Sequence, residues 1–308
     1  MHQKSIEEAK KRLFRGELVI FPTETVYGIG GNANNRKSIE LIYKTKNRPI
    51  NNPLICHFAN MEEIEKNFIL KDKDYELANT FWPGPLTLIL EKKINSMISP
   101  LLSNNKNLVG CRIPNNEISL SLLSIIDFPI AAPSANIATR TSVTSIEDLD
   151  YKLKEIFYID GGSSVLGLES TVIKTTKNGC KILRLGSLTI EDIKLKFPKY
   201  EISIDQSDVS PGNQLKHYSP IKPIRINVNF VKKNETLLNF GINELTSDIK
   251  SLNLSIDENL SDASYNFYNY LNILDNISCN GIAVAPIPDQ GLGKTINDRL
   301  RRASYKDE

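Results

Sequence analysis

The sequence lacks the signatures of several common classes of site. Its four cysteines, Cys56, Cys111, Cys180 and Cys279, show no C-x-x-C spacing, which argues against a zinc ribbon or a disulfide framework and fits a reducing cytoplasm. With only three histidines in the chain, a Ser-His-Asp triad is not favoured. Neither a P-loop, G-x-x-x-x-G-K-S/T, nor a nucleophile elbow, G-x-S-x-G, occurs.

Long apolar runs and a strong net charge are also missing. No apolar run approaches the ~20 residues that a membrane span needs. The N-terminal stretch MHQKSIEEAKKRLFRGE has no apolar core of a signal peptide and predicts an amphipathic helix that ends near Gly16. A net charge of +2 is too small to predict nucleic-acid binding from charge alone. We therefore expect a soluble, cytoplasmic protein without membrane attachment.

Length and hydrophobic patterning predict two α/β domains. A chain of 308 residues has room for about two domains. In the first two thirds, apolar runs such as ELVIF, LTLILE and STVIKTT alternate with helical patterns such as RKSIELIYKTK, in an order that predicts a mixed sheet. We predict a catalytic domain over 1–200, a linker over 201–222 that is poor in large apolar residues, and a small α/β domain over 223–308.

The stretch FPTETVYGIGG, residues 21–31, places hydroxyl residues and glycines after an apolar strand. GIGGNA formally matches the G-x-G-x-x-A dinucleotide fingerprint, but RPINNPLICHF lacks the acid that should follow about 20 residues later. A glycine-rich turn that packs a helix on the sheet explains the glycines, but not Thr23, Thr25 and Tyr27. Neither interpretation accounts for all of these residues.

KTKNRPINNP combines a helix end with two cations. Pro49 keeps Arg48 out of the helical conformation, so we predict that the helix ends near Asn47. In the extended segment expected there, Lys46 and Arg48 project to the same side and could bind one phosphate group. The alternative is two solvated cations that stabilise a helix C-terminus. This stretch alone does not separate the two.

His57 and Arg112 stand in apolar strands, where a polar side chain needs a partner. A lone histidine in PLICHFA is more often a hydrogen-bonded core residue than a site residue. An arginine in LVGCRIP, if buried, must contact an anionic or polar group. Its partner is either a substrate carboxylate or an Asp or Glu of the protein.

Hydroxyl and amide residues end further strands. PIAAPSAN carries Ser134 and Asn136 with the same spacing as the two cations, and GLESTVI and ILRLGS add Ser170 and Arg184. Ser and Asn suit a helix-capping turn equally well. Strand ends that repeatedly carry Thr, Ser, Asn, Lys and Arg instead of Asp and Glu predict a cavity for a multiply anionic ligand. Its reaction would depend on positioning and charge neutralisation, as in phosphoryl or nucleotidyl transfer.

Taken together, these segments resemble the YrdC-like family. FPTETVYGIGGNA, KTKNRPINNPL, FWPGPLTLIL, CRIP, AAPSAN, DGG, GLESTVI and LRLG occur in the order and spacing of that family, over residues 10–220. The linker, and a weaker match that includes GLGKTINDRLRRAS, resemble its two-domain form. The resemblance implies a YrdC-like domain with a twisted mixed sheet and a concave substrate cavity, followed by a small Rossmann-like α/β domain.

The resemblance also implies a reaction and its participants. L-Threonine, bicarbonate and ATP would give L-threonylcarbamoyl-adenylate and pyrophosphate, with Mg2+ as the cofactor that accompanies ATP. The product would pass to a tRNA threonylcarbamoyl-transferase complex that makes N6-threonylcarbamoyladenosine in tRNA. The alternative function is a double-stranded RNA-binding module without synthase activity. Weak binding of tRNA or double-stranded RNA is a further expectation.

The family's site residues fall on the segments quoted above. The catalytic set is Lys46, Arg48, Ser134 and Asn136. The resemblance assigns to ATP binding Arg48, Asn52, Leu108, Ser134, Ser142, Arg184 and His217. It assigns to L-threonine binding Thr25, His57, Arg112, Ala132 and Ser170. No protein ligand to a metal is expected, because Mg2+ would be bound through the ATP phosphates.

Two segments depart from the family pattern. ATRTSVT keeps Ser142 but lacks the prolines that the family usually has there, and NQLKHYSP keeps His217 and Tyr218 but lacks the usual flanking residues. We expect His217 to reach the nucleotide as the linker folds across the cavity. The departures bear on the strength of that closure and not on the chemistry.

Overall fold

A computed structural model describes residues 2–205 and 218–305. The helices are α1 (His2–Phe14), α2 (Arg36–Lys46), α3 (Met61–Asn67), α4 (Asp72–Phe81), α5 (Glu117–Ser124), α6 (Ile190–Lys196), α7 (Leu260–Asp275) and α8 (Gly291–Ala303). The strands are β1 (Val19–Phe21), β2 (Gly28–Asn32), β3 (Ile55–His57), β4 (Phe68–Ile69), β5 (Leu86–Lys92), β6 (Leu108–Arg112), β7 (Ile130–Ala131), β8 (Thr171–Thr175), β9 (Gly179–Arg184), β10 (Glu201–Ile204), β11 (Ile224–Arg225), β12 (Glu235–Asn239), β13 (Ser251–Asn253) and β14 (Gly281–Val284). In these two ranges, no helix has the length and apolar character that crossing a membrane requires.

The first ten strands form one mixed sheet. Their order is β1-β2-β7-β3-β6-β5-β8-β9-β10, with β4 paired to β5. The pairs β3–β6, β5–β8 and β9–β10 are parallel, whereas β1–β2, β2–β7, β5–β6 and β8–β9 are antiparallel. The mixed α/β sheet predicted from the apolar runs is therefore confirmed.

Helix α2 begins and ends at asparagines. The Asn35 side chain accepts a hydrogen bond from the backbone N–H of Lys37 at 2.9 Å. Asn47 closes the helix in the left-handed conformation, with φ of 51°, which asparagine tolerates better than most residues. The helix ends where the sequence predicted. However, Lys46 and Arg48 flank a left-handed residue, and the extended segment expected for them is wrong.

The glycines of GIGG lie in strand β2 and not in a turn. Because β1 and β2 are antiparallel, the chain reverses over residues 22–27 instead. A Cβ on Gly30 would lie 2.4 Å from Ile130 Cγ2 and 2.7 Å from the Phe21 ring. Glycine therefore lets these two side chains pack closely across the strand. The expectation that the glycines turn the chain is wrong, and they form no phosphate-binding turn between a strand and a helix.

The second sheet is smaller and entirely parallel. Its order is β11-β14-β12-β13, with α7 and α8 packed beside it, which confirms the small Rossmann-like α/β domain. The core of this domain contains Phe267, Leu271 and Ile282, and it also includes Val26 and Leu168 from the first part of the chain. The two domains therefore share apolar contacts.

The chain enters the second domain beside a loop of the first. Residues 201–204, at the start of the predicted linker, form β10 at the edge of the first sheet. The backbone N–H of Ser219 donates to the Thr139 carbonyl at 2.7 Å. The middle of the predicted linker, 206–217, lies outside the described residues.

Candidate active site

An open cleft of about 570 Å³ lies where the ends of β2, β3, β6 and β8 approach each other. All residues that the resemblance assigned to L-threonine line it, namely Thr25, His57, Arg112, Ala132 and Ser170. From the ATP set, the lining residues are Arg48, Ser134 and Arg184. Thr23 and Tyr27 also belong to the wall, as expected.

Lys46, Ser134 and Asn136 form one hydrogen-bonded cluster at the cleft. Lys46 Nζ donates to the Ser134 carbonyl at 2.6 Å, to the Asn136 carbonyl, and to Asn136 Oδ1 at 3.4 Å. Ser134 Oγ donates to Asn136 Oδ1. Asn136 Nδ2 donates in turn to the carbonyls of Ile137 and Arg140 at 2.9 and 2.8 Å. Asn136 thus orients both the ammonium group and the hydroxyl.

Arg48 is held by the loop that follows α2. Its Nε donates to the Asn52 carbonyl at 3.0 Å, and its Nη2 donates to Asn52 Oδ1 at 2.5 Å and to the Pro53 carbonyl at 2.8 Å. The guanidinium is buried and forms part of the cleft wall. Asn52 therefore acts on the cleft by orienting Arg48.

Both cations are buried, and the part of the chain that the structure describes gives neither of them an acidic partner. Desolvation, followed by the charge of Arg48, lowers the pKa of Lys46 well below its ordinary value. Desolvation lowers the pKa of Arg48 to about 10, and the charge of Arg184 adds to this effect. Among the described residues, no carboxylate lies within ion-pair distance of either cation. Two buried cations without a counter-charge favour the binding of an anion.

Arg112 has a carboxylate partner within the protein. Its Nη2 lies 2.6 Å from Glu24 Oε1, and both side chains are 4% exposed. This contact has the distance of an ion pair but lacks hydrogen-bond alignment. Arg112 Nη1 donates to Thr25 Oγ1 at 2.8 Å, and Nε donates to the Gly84 carbonyl at 3.2 Å. Of the two partners considered from the sequence, a protein acid is present, and it holds the guanidinium in the cleft wall.

His57 lies beside Arg112 on the neighbouring strand, because β3 and β6 pair them in register. Burial, followed by the charge of Arg112, lowers the pKa of His57 to about 3, so the ring is neutral near pH 7. Within the described part of the chain, its Nδ1 makes no well-aligned hydrogen bond, although the backbone of Ile130 and Ile55 lies close enough to oppose part of this fall in pKa. A buried nitrogen of this kind in a cleft wall is a candidate contact for a ligand.

Ser170 connects two parts of the wall. Its Oγ lies 2.8 Å from Thr87 Oγ1. Arg184 Nη2 donates to the Ser170 carbonyl at 2.7 Å and to its Oγ at 3.1 Å. Arg184, which the resemblance assigned to ATP binding, therefore contacts the hydroxyl of Ser170, which it assigned to L-threonine binding.

Glu169 centres a buried charged group that was not predicted from the sequence. It lines the cleft and accepts hydrogen bonds from Ser142 Oγ, from the Tyr268 hydroxyl at 2.8 Å and from Arg299 Nε at 2.9 Å. Burial opposes its ionisation, but the charges of Arg299 and Arg184 hold the pKa of Glu169 below its ordinary value. The cleft therefore contains a carboxylate, whereas the strand ends predicted hydroxyl, amide and cationic side chains in place of Asp and Glu.

A signal for this group was present in helix α8. Arg299 falls on the apolar face of that helix, next to the buried Ile296 and Leu300. An arginine on an apolar helix face requires a buried partner. For Glu24 and Glu169, the signal was a single acid next to an apolar strand, in PTET and in GLES.

The remaining predicted residues lie outside the cleft lining. Four of them contact lining residues through the hydrogen bonds given above: Lys46, Asn52, Asn136 and Ser142. Leu108 lines a neighbouring cavity of about 920 Å³ that shares Pro53 with the cleft. His217 lies outside the described residues, whereas its neighbour Tyr218 lines the cleft.

These features define the class of protein. The first domain is a mixed α/β sheet whose strand ends bring buried cations and neutral donors to one cleft. Two residues of the second domain, Tyr268 and Arg299, donate hydrogen bonds to Glu169 in the wall of that cleft. The chain is a two-domain α/β enzyme with a cleft suited to an anionic substrate.

Two family models cover nearly all of the chain. Residues 11–186 match the model of the Sua5, YciO and YrdC proteins, which is described as telomere recombination. Residues 188–304 match the model described as the C-terminal domain of threonylcarbamoyl-AMP synthase. The chain belongs to the threonylcarbamoyl-AMP synthase family, in its two-domain form, and this confirms the resemblance found in the sequence.

Individual relatives agree with the family models. The chain is 33% identical to the threonylcarbamoyl-AMP synthase of Pyrococcus abyssi, over 97% of this chain and 95% of that protein. It is also 33% identical to that of Bacillus subtilis, over 97% and 92%. Among solved structures, the crystal structure of P. abyssi Sua5 complexed with L-threonine matches with a TM-score of 0.85 and 31% identity, covering 97% of this chain and 94% of that one.

Proposed function

We propose that this protein is an L-threonylcarbamoyladenylate synthase, which makes threonylcarbamoyl-AMP and pyrophosphate from L-threonine, bicarbonate and ATP. The observation that carries the proposal is the pair of buried cations, Lys46 and Arg48, which have no carboxylate partner among the described residues. They lie next to a pocket that contains Arg112 and a neutral His57. A triphosphate supplies the missing negative charge, and an amino acid fits the second set of groups.

The proposed reaction has two steps. The threonine amine and bicarbonate give a carbamate and water. A carbamate oxygen then attacks the α-phosphorus of ATP, the bond to the β-phosphate oxygen breaks, and its electron pair leaves with pyrophosphate. Arg48 and Ser134 would contact the phosphates, while the buried charge of Lys46 would stabilise negative charge in the transition state. Asn136 would orient Lys46 and Ser134.

L-Threonine would bind at Thr25, His57, Arg112, Ala132 and Ser170. Arg112 would pair with the amino-acid carboxylate, while Glu24 holds the guanidinium from the other side. The neutral ring of His57 forms part of the wall of this pocket. Asn52, Leu108, Ser142, Arg184 and His217 would complete the nucleotide site.

Mg2+ would enter the site with ATP. In the described residues, no group of three or more His, Cys, Asp or Glu side chains is arranged to hold a metal ion. The Glu169 carboxylate in the cleft is paired with Arg299. Phosphate oxygens and water suit the octahedral preference of Mg2+, so the ion fits this site without a protein ligand. Bound in this way, Mg2+ would stabilise charge on the leaving pyrophosphate.

Pyrophosphate release from ATP tests the proposal directly. Purified protein is assayed with L-threonine and bicarbonate each present or omitted, and with L-serine in place of L-threonine. We expect release that requires both substrates and is slow with L-serine. Release in the absence of both would indicate a nucleotide pyrophosphohydrolase. No release by folded protein under any condition would overturn the proposal.

The partners and the compartment follow from the product. Threonylcarbamoyl-AMP would pass to the tRNA threonylcarbamoyl-transferase complex, so we place the enzyme in the cytoplasm. Any binding of tRNA or double-stranded RNA would be weak, because the net charge is only +2. Filter binding at two salt concentrations measures this property, and a steep salt dependence would favour an RNA-binding role.

A further inference from the structure

The Glu169 carboxylate joins the cleft to the second domain. Its Oε1 accepts from Ser142 Oγ in the catalytic domain and from the Tyr268 hydroxyl on α7, the latter at 2.8 Å. Its Oε2 accepts from Arg299 Nε on α8 at 2.9 Å. The same side chain therefore lines the cleft and is oriented by two donors of the second domain.

All three nitrogen atoms of the Arg299 side chain contact oxygen atoms of the protein. It is fully buried, its Nη1 lies 2.6 Å from Asp298 Oδ2, and its Nη2 donates to the Leu185 carbonyl at 2.6 Å. Its guanidinium lies 4.4 Å from the centre of the Tyr218 ring. Planar, forked donors and ring stacking are properties of arginine that lysine does not share. Arg299 therefore has one conformation, which fixes the position of Glu169.

Glu169 acts on the nucleotide side of the cleft in two ways. It accepts the hydrogen bond of Ser142, so it sets the direction of that hydroxyl. Its charge also acts on Arg184, whose side chain lines the cleft. Without Arg299, the full charge of Glu169 would act on Arg184 and weaken the positive potential that a nucleotide meets.

We propose that Arg299 is a positioning residue for nucleotide binding: it holds Glu169, directs the Ser142 hydroxyl, and prevents Glu169 from neutralising Arg184. The second domain thereby completes the nucleotide side of the active site. This inference rests on the proposed function, because that function assigns Ser142 and Arg184 to ATP.

Equilibrium binding to the full-length protein tests the inference. The Kd values of ATP and L-threonine are measured by calorimetry for wild type, Arg299→Lys and Tyr268→Phe. We expect Arg299→Lys to weaken ATP binding by about tenfold or more and to leave L-threonine binding within about twofold. Tyr268→Phe removes one donor to Glu169 and keeps the ring, so we expect a smaller, selective loss for ATP.

Thr295→Val is the matched control. Thr295 also lies on α8 and is buried, and its Oγ1 donates to the Gly186 carbonyl at 3.0 Å instead of to the Glu169 carboxylate. Thr295→Val loses a contact between the domains but keeps both second-domain donors to the Glu169 carboxylate, so we expect unchanged Kd values for both ligands. In a Glu169→Gln background, Arg299→Lys should have little further effect on ATP binding, since both changes act on one contact.

Each outcome decides the inference. The inference is overturned if folded Arg299→Lys binds ATP as tightly as wild type. It is also overturned if Arg299→Lys and Thr295→Val both weaken the binding of ATP and of L-threonine to the same extent. If circular dichroism shows that Arg299→Lys does not fold, Tyr268→Phe decides, and an unchanged ATP Kd overturns the inference. Wild type that binds ATP but releases no pyrophosphate contradicts the proposed function and leaves the Kd comparison valid. Wild type that binds no ATP overturns both.

Discussion

Arg112 has a partner in the protein, Glu24, and a proposed partner in the substrate, and a pair of variants separates these two roles. Arg112→Ala removes both interactions. It leaves the Glu24 carboxylate, which is 4% exposed, without the guanidinium that lies 2.6 Å from it. The double variant Arg112→Ala/Glu24→Gln removes the buried negative charge as well.

The expected loss of stability is large for the single variant. Removing one member of a buried ion pair costs about 3–5 kcal/mol, because the other charge stays buried. For a unit of about 150–250 residues each kcal/mol lowers Tm by about 2–4 °C, so we expect a drop of roughly 6–20 °C. The double variant should recover part of this loss, since an unpaired buried amide costs only about 1–3 kcal/mol.

Urea unfolding and L-threonine calorimetry distinguish the two roles. We expect the double variant to regain stability without regaining affinity for L-threonine. Arg36→Ala is the control, because its exposed pair with Glu40 is worth at most about 1 kcal/mol. If the double variant binds L-threonine like wild type, Arg112 serves only to neutralise Glu24. If Arg112→Ala alone is as stable as wild type, the energetic argument for the buried pair is wrong.

Three further predictions concern single residues. Arg48→Ala should lower the rate of pyrophosphate release about 10²–10³-fold, as expected for loss of a transition-state donor. The control Arg36→Ala should leave that rate unchanged. Near-normal turnover in Arg48→Ala would place Arg48 outside the site. Because the pKa of His57 is depressed to about 3, only the unfolded chain binds that proton between about pH 3 and pH 6.5, so stability falls as the pH falls. Urea unfolding therefore measures the free energy of unfolding at pH 7 and at pH 5. We expect the decrease between these pH values to be about 2 kcal/mol smaller in His57→Gln than in wild type, and equal decreases would refute this. His217→Ala should raise the KM for ATP with an unchanged circular dichroism spectrum, and unchanged steady-state kinetics would argue against closure by the linker.

Local signals predicted the elements of the fold correctly. The ends of α2 depend on Asn35 and Asn47, and both act within a few residues of themselves. The apolar runs of β5 and β6 identify buried strands for the same local reason. Gly30 was misassigned because its role depends on Ile130, which is far along the chain. The domain boundaries at 200 and 222 stay a prediction.

The cleft was predictable where strand ends carry its residues. Thr25 and Ser134 follow strands β1 and β7, and Ser170 directly precedes β8, so these hydroxyl residues come together where the strands meet. Arg48 reaches the same cleft from the loop after helix α2. Their partners were not predictable, because the contacts join distant positions. Arg112 contacts Thr25 across 87 residues, and Lys46 contacts Asn136 across 90. The acids Glu24 and Glu169 were missed because their neutralising cations are visible only after folding.

The 130 residues between Glu169 and Arg299 also impose an order on synthesis. At 5–20 residues per second, a ribosome adds Arg299 roughly 6–26 s after Glu169. During this interval the nascent catalytic domain carries Glu169 without its cation, and Val26 and Leu168 lack the core that will cover them. Translation that stops in this interval yields a chain with Lys46 and Arg48 in place but without the cation that pairs with Glu169. The wall of the cleft is therefore completed only after a segment far along the chain from its strands has been synthesised.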